Sequence, residues 1–178
     1  MINLETPRMF GFGPYIVDGF KVNYLYGLND LCQKYVKQNF NILELGVNDG
    51  VSTSLFSSYC ERVVAVDMNT TFRLQKVLSE HKNIEFHQMF FKDFVLNCGE
   101  KFDFIYIDGM HNYNAVKEDI VLSLNVIKEN GVLSGHDFNS ENPGVSKAVY
   151  EFFDANDITV FSDSSWAVEI NKIKKNKL

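Results

Sequence analysis

IYIDGMHNYNAVKED (Ile105–Asp119) and GVLSGHDFNSENPG (Gly131–Gly144) share one layout. Each begins with a short apolar run and breaks off into polar residues that carry Asp and His. The first supplies Asp108 and His111, the second His136 and Asp137. If the two apolar runs are neighbouring parallel strands, about 4.8 Å apart, these four side chains meet at one sheet edge. Carboxylates and imidazoles gathered there suggest a metal-and-base site.

The rest of the chain supplies the sheet that this requires. Asn41–Leu45, Arg62–Val66, Ile84–His87, Phe102–Ile107 and Val132–Gly135 read as strands from their β-branched and apolar content. Helical spacing fills the intervals at Val51–Cys60, Thr70–Glu80, Lys92–Asn97 and Tyr113–Lys128. In the last, Val116, Ile120, Leu124 and Ile127 share a face, and Gly131 stands where a helix C-cap glycine belongs. Gly27–Asn39 precedes the first strand as a helix. Gly144–Phe153, after Pro143, follows the fifth strand. Ile158–Phe161 and Trp166–Ile170 look like a closing antiparallel pair, with Trp166 in the core. Met1–Tyr26 reads as irregular, a lid, and Asn171–Leu178 as a solvated Lys-rich tail. Alternation of strand and helix predicts an α/β sandwich around a mainly parallel sheet. Ligands of such sheets sit at the carboxyl ends of the strands.

At 178 residues the chain fits a single domain, 1–178, divided into an N-terminal lid and helix (1–40), a core (41–170) and a tail (171–178). The net charge of −6 argues against nucleic acid as a partner, since phosphate binding draws on clustered Lys and Arg. No apolar run approaches the roughly 20 residues that span a bilayer, so no membrane partner is expected. Three widely spaced cysteines, Cys32, Cys60 and Cys98, read as reduced thiols of a cytoplasmic protein.

Glu44-Leu-Gly46-Val-Asn-Asp-Gly50 ends the first strand and opens a helix. Gly46 and Gly50 would let a ligand approach the backbone. Glu44 and Asp49 disfavour a pyrophosphate and suit a cationic cofactor. Asp67, about 20 residues on at the tip of the second strand, is placed to accept hydrogen bonds from ribose hydroxyls. The plainer reading is a tight turn, a helix cap and a solvated Asp.

These residues resemble class I S-adenosylmethionine-dependent methyltransferases. Glu44, Gly46, Gly50 and Ser52, with the acidic Asp67, match the first two motifs of that family. Ile107–Asp119 (I-D-G-x-H-x-Y-x-x-V-x-x-D) and Gly131–Val145 are similar to one branch, the small metal-dependent O-methyltransferases (methyltransferase domain family 24-like) that act on natural-product sugars and surface glycans. The resemblance covers about Asn41 to Ile170. It implies a Rossmann-like, doubly wound seven-stranded sheet of order 3-2-1-4-5-7-6 with one antiparallel strand. It implies S-adenosyl-L-methionine held by Glu44, Gly46, Val47, Asn48, Gly50, Ser52, Asp67, Met68, Met89, Phe90 and Asp108. Where such enzymes often carry an acid or Ser beside the adenine, this chain has Met89 and Phe90. No insertion is large enough to cap the substrate, so Phe10–Tyr26 or a neighbouring subunit of a homo-oligomer would have to close the pocket.

The expected reaction is an SN2 methyl transfer to a hydroxyl of a sugar or glycosylated small molecule. Asp108 and Asp137 are the expected ligands of a divalent cation, Mg²⁺ or, in a looser site, Ca²⁺; His136 adds a nitrogen that would favour Mn²⁺ or stands behind the ligands. His111 is the expected general base and Asp108 its catalytic companion. Tyr113 and Asn114 would face substrate, Phe138 and Asn139 would border the acceptor pocket, and Asp119 would cap or pair. In the plainer reading Asp108 caps the next helix and Asp137 a turn. Two rivals stand beside the enzyme reading. One is a non-catalytic cofactor-binding module or partner subunit. The other is a nicotinamide-dependent oxidoreductase, against which the missing G-x-G-x-x-G argues.

Overall fold

The structure is a computed structural model that describes the backbone of residues 15–17, 20–22 and 24–173 and the side chains of residues 26–173. A short hairpin, β1 (Tyr15–Val17) and β2 (Phe20–Val22), comes first. The sequence reading had no regular element there. The lid proposed for this region concerns side chains outside the described residues, as does most of the tail.

Helix α1 (Tyr24–Tyr35) leads into the alternating series β3 (Asn41–Leu45), α2 (Val51–Ser57), β4 (Arg62–Asp67), α3 (Phe72–Glu80), β5 (Ile84–Gln88), α4 (Phe91–Asn97), β6 (Phe102–Ile107), α5 (Tyr113–Val126) and β7 (Ile127–Gly135). Helix α6 (Pro143–Phe152) and strands β8 (Thr159–Val160) and β9 (Trp166–Glu169) close the chain. The seven strands lie in the order β5-β4-β3-β6-β7-β9-β8. Numbered within the sheet, that is 3-2-1-4-5-7-6, as the resemblance implied. All neighbouring pairs from β5 to β7 are parallel, and β9 alone is reversed, antiparallel to both β7 and β8.

The central strands are buried on both faces, which is why they read as nearly continuous apolar runs. Alternate residues go to opposite layers. Leu43, Leu45, Val64, Val66, Ile105 and Ile107 pack with α4, α5 and α6. Ile42, Val63, Ala65, Phe104 and Tyr106 pack with α1, α2 and α3. Trp166 is 1% exposed in the first layer, as expected. Helix starts are specified locally: Thr71 accepts a hydrogen bond from Leu74 N at 3.0 Å, and Asn112 from Ala115 N at 3.1 Å.

One expectation fails at the end of α5. The helix stops at Val126, its cap Ile127 is already extended (φ −86°, ψ 147°), and Gly131 lies four residues further on, inside β7. Gly131 is therefore not a helix cap. A Cβ there would stand 2.6 Å from Ile127 and 2.9 Å from the Lys128 carbonyl, so the glycine answers to crowding within an irregular strand. Ile127 is buried as foreseen, but as a strand residue.

Candidate active site

The sheet reverses its winding between β3 and β6, and the crevice there opens into a cleft of about 1280 Å³. Its glycine loop is built by left-handed backbone at Gly46 (φ 82°), Asn48 (φ 49°) and Gly50 (φ 76°). Of the two glycines expected to open the backbone to a ligand, Gly46 lines the cleft and Gly50 does not. At Gly46 the space of a Cβ is filled by the Asp108 carbonyl oxygen, 2.1 Å away, and at Gly50 by Leu74 and Val77. The glycines let the loop close against β6 and α3.

Glu44 is also displaced from its expected place. It is fully buried beneath the loop, absent from the cleft wall, and receives a hydrogen bond from Ser52 Oγ. Its second oxygen has no partner among the described residues. Burial, reinforced by Asp108 and Asp67 against the opposing Ser52 and Thr53, pushes its pKa up to about 8. Asp49 lines the cleft but pairs with Arg73 at 3.0 Å.

Asp67 ends β4 at the cleft. One carboxylate oxygen accepts from Val47 N (2.8 Å) and Asn48 N (3.0 Å), the other from Asn69 N (2.9 Å). It thereby ties the glycine loop to the strand tip while remaining on the wall. Beside it Met68, Met89 and Phe90 are 41%, 37% and 61% exposed, all facing the cleft. Bonds from Met89 N to Asp67 O (3.0 Å) and from Gln88 to Met68 O (3.2 Å) hold these strand tips together. The result is an apolar slot next to the Asp67 carboxylate.

The other end of the cleft gathers the opening motifs. β6 and β7 are parallel neighbours, with Ile107 opposite Gly135. Asp108, His111 and Asp137 each offer a ligand atom, all within 4.8 Å of one another. Two ligands of one Mg²⁺ or Ca²⁺ lie at most roughly 4–5 Å apart, so this donor set fits a hard cation. His111 Nε2 lies 3.0 Å from Asp137 and 3.7 Å from Asp108. Its pKa is raised by Asp108 and then Asp137, against partial burial, although Asp137 is the nearer acid. Asp137 adopts φ 60° and receives a hydrogen bond from Asn142 at 3.1 Å. Burial works to raise its carboxyl, but His136 and His111 hold it below the ordinary range. Asp108 does not cap the next helix, whose cap is Asn112.

His136 stands beside this trio. Its Nδ1 is 3.5 Å from Asp137 and 4.0 Å from Asp108. Its Nε2 is buried without a hydrogen-bond partner among the described residues, 4.0 Å from Asp163. Burial would lower this imidazole, yet Asp137, Asp108 and Asp163 together push it up to about 9.

Asp163 was missed from the sequence. It lies in the β8–β9 turn, 1% exposed at its side chain, and accepts from Ser165 N (3.0 Å) and Ser165 Oγ (2.8 Å). Its neighbour Ser164, in the left-handed region at φ 66°, joins it on the cleft wall and receives a hydrogen bond from Asn139 at 3.1 Å. Asn139 lines the cleft as foreseen, but Phe138 packs edge-on against Tyr150 and is not on the wall. Tyr113, expected to face substrate, turns outward to Glu151. The only local signal for Asp163 was an Asp-Ser-Ser run between two closing strands, which by itself reads as a turn.

Comparison with known proteins agrees with this layout. No curated protein matches the sequence. Among solved structures, an O-methyltransferase from Bacillus cereus in complex with S-adenosylhomocysteine is 15% identical over 89% of this chain and 84% of its own (TM-score 0.60). The O-methyltransferase of tomaymycin synthesis from Streptomyces achromogenes, solved with S-adenosylmethionine, is 16% identical over 91% and 85% (TM-score 0.61). An rRNA methylase from Streptococcus thermophilus is 14% identical over 78% and 90% (TM-score 0.61). At such identities these likenesses speak for the fold. Residues 43–138, more than half of the chain, match the family model described as a methyltransferase domain. They contain both the glycine loop and the Asp108–Asp137 cluster, and the chain belongs to this methyltransferase family.

Proposed function

We propose that the protein is an S-adenosylmethionine-dependent O-methyltransferase, assisted by a divalent cation and acting on a hydroxyl of a sugar or glycosylated small molecule. The observation that carries this reading is the convergence of Asp108, His111 and Asp137 within 4.8 Å in the cleft that also holds Asp67 and the apolar slot. The cleft exceeds the usual 300–1,000 Å³ of a small-molecule pocket, which suits a cofactor and an acceptor together. Its wall carries Asp49, Asp67, Asp108, Asp137 and Asp163, a setting that favours a sulfonium and a metal ion over an anionic ligand.

Asp108 and Asp137 would hold the cation, which when bound supplies Lewis-acid polarisation of the acceptor oxygen. His111 is 45% exposed at its side chain, so its ring can meet an entering hydroxyl and take its proton. Asp137, 3.0 Å from Nε2, favours that charged form. His136 and Asp163 lie deeper and brace the acids from behind. Family membership favours methyl transfer over nicotinamide chemistry.

Isothermal titration with S-adenosylhomocysteine, followed by methyl transfer over a panel of glycoside hydroxyls with and without Mg²⁺, tests the proposal. His111→Ala is expected to lower kcat by about 10²–10⁴-fold with cofactor affinity retained. Cofactor binding without turnover on any hydroxyl would leave a binding module instead. Turnover unchanged by saturating chelator would remove the metal.

A further inference from the structure

We infer that Asn142 is a positioning residue that sets the Asp137 carboxylate for a divalent cation, an assignment that rests on the reading of Asp108 and Asp137 as the cation's ligands. Asp137 follows β7 with left-handed backbone (φ 60°), a conformation few residues other than glycine adopt. Its two oxygens face different neighbours. Oδ2 lies 3.0 Å from His111 Nε2, and Oδ1 lies 3.5 Å from His136 Nδ1. With an imidazole at each oxygen, the carboxylate has two partners to turn toward, and a third contact decides its setting. Asn142 supplies that contact: its Nδ2 donates to Oδ1 at 3.1 Å. One oxygen is thereby held, and the other stays beside His111.

Asn142 stands at the N-cap of α6, where an Asn side chain ordinarily accepts from the first turn of the helix. Here it makes no capping bond, and its amide is turned to Asp137 instead. The backbone alone serves this helix start: Val145 N donates to Asn142 O at 3.0 Å, and Pro143 in the first turn has no N–H to satisfy. Asn142 is itself held. Asn139 Oδ1 accepts from Asn142 N (2.9 Å) and Glu141 N (2.9 Å), while Asn139 Nδ2 reaches Ser164 Oγ at 3.1 Å. Two residues on, a Cβ at Gly144 would stand 2.7 Å from the His111 carbonyl oxygen and 2.8 Å from Tyr113 N. The bare glycine lets the first turn of α6 seat against the loop that carries His111. The corner Asn142-Pro143-Gly144 therefore touches both motif loops, Asp137 through a side chain and His111 through backbone. Asn142 is not among the residues that line the cleft, so it serves a bound cation only through Asp137.

The test uses the intact chain and Mn²⁺ alone as the probe, with free Mn²⁺ read by electron paramagnetic resonance. Asn142→Ala is expected to weaken Mn²⁺ binding by about 10–100-fold, while calorimetric affinity for S-adenosylhomocysteine stays at the wild-type value. A merely architectural role would move both affinities together. Asn142→Ser guards against a variant that fails to fold: Ser is favoured at an N-cap, but its hydroxyl is too short to reach Asp137, so it should keep the helix start and weaken Mn²⁺ alike. Wild-type Mn²⁺ affinity in these variants would overturn the assignment, as would a parallel loss of both ligands. Failure of the wild type to bind Mn²⁺ would instead remove the cation reading beneath it, and S-adenosylhomocysteine binding by the wild type scores the cofactor reading separately.

Discussion

Replacing Glu44 by Gln isolates the energetic consequence of placing an acid beneath the glycine loop. Glu44 is fully buried, with one oxygen bonded to Ser52 and the other without a partner among the described residues. Burial pushes its carboxyl up to about 8 in the folded protein, against an ordinary value of 4.5. The folded state therefore holds this proton more tightly than the unfolded chain. Between those two values each rise in pH removes stability, and the loss is complete once pH exceeds the folded value. At 1.36 kcal/mol per pH unit the full cost is roughly 5 kcal/mol. Gln never ionises, but it sets an amide nitrogen where the second oxygen finds no partner, at about 1–3 kcal/mol. Below the unfolded value Glu44→Gln should be less stable than wild type by about that amount. Above the folded value it should be more stable by roughly 2–4 kcal/mol, with the curves crossing between. Urea denaturation of both proteins without ligand, at about pH 5, 7 and 8.5, reads the difference. A difference that stays constant across that range would refute the reasoning, because it would mean that Glu44 is not protonated in the folded state.

Gly46→Ala combines a left-handed residue with a Cβ 2.1 Å from the Asp108 carbonyl, and thermal melting should show a loss of roughly 2–5 kcal/mol. Asp163→Ala strips acceptors from Ser165 and leaves His136 Nε2 without its nearby acid; a loss of about 2–4 kcal/mol in urea denaturation is expected. Mg²⁺ or Mn²⁺ added to chelator-treated protein at about 100 times its dissociation constant should stabilise the fold by about 2.7 kcal/mol, and Asp137→Ala should abolish that gain in the same melt.

The sheet was legible because its central strands are buried on both faces and its helices carry one-sided apolar stripes. Val63–Val66 and Phe104–Ile107 announce themselves by composition alone. The junction after α5 was not, because Ile127 continues the helical spacing of Val116 and Ile120 while belonging to a strand. A single apolar residue fits both periods, and only its pairing with Phe102 decides. At the site, Asp108, His111 and Asp137 were legible because each follows an apolar strand by a fixed short distance. Glu44 misled because side-chain direction in a strand alternates: Leu43 and Leu45 face one layer while Glu44 faces the other, beneath the loop. Asp163 was hidden because it reaches the cleft from 26 residues beyond Asp137, through a reversal that no local pattern records. Asp119, expected to cap or pair, has no partner for its carboxyl among the described residues, because the cap of α5 is Asn112.

The reversed β9 has a consequence for how the pocket can change over evolutionary time. Since β8 runs up and β9 runs back, the turn joining them delivers Asp163 and Ser164 to the cleft wall with only five residues between the two strands. Lengthening or trimming that turn would reshape this end of the cleft without touching the strand tips that carry Asp67 and Met89 at the other. On the proposed function, selectivity and cofactor use would be written in separate stretches of chain, and one could drift while the other is kept.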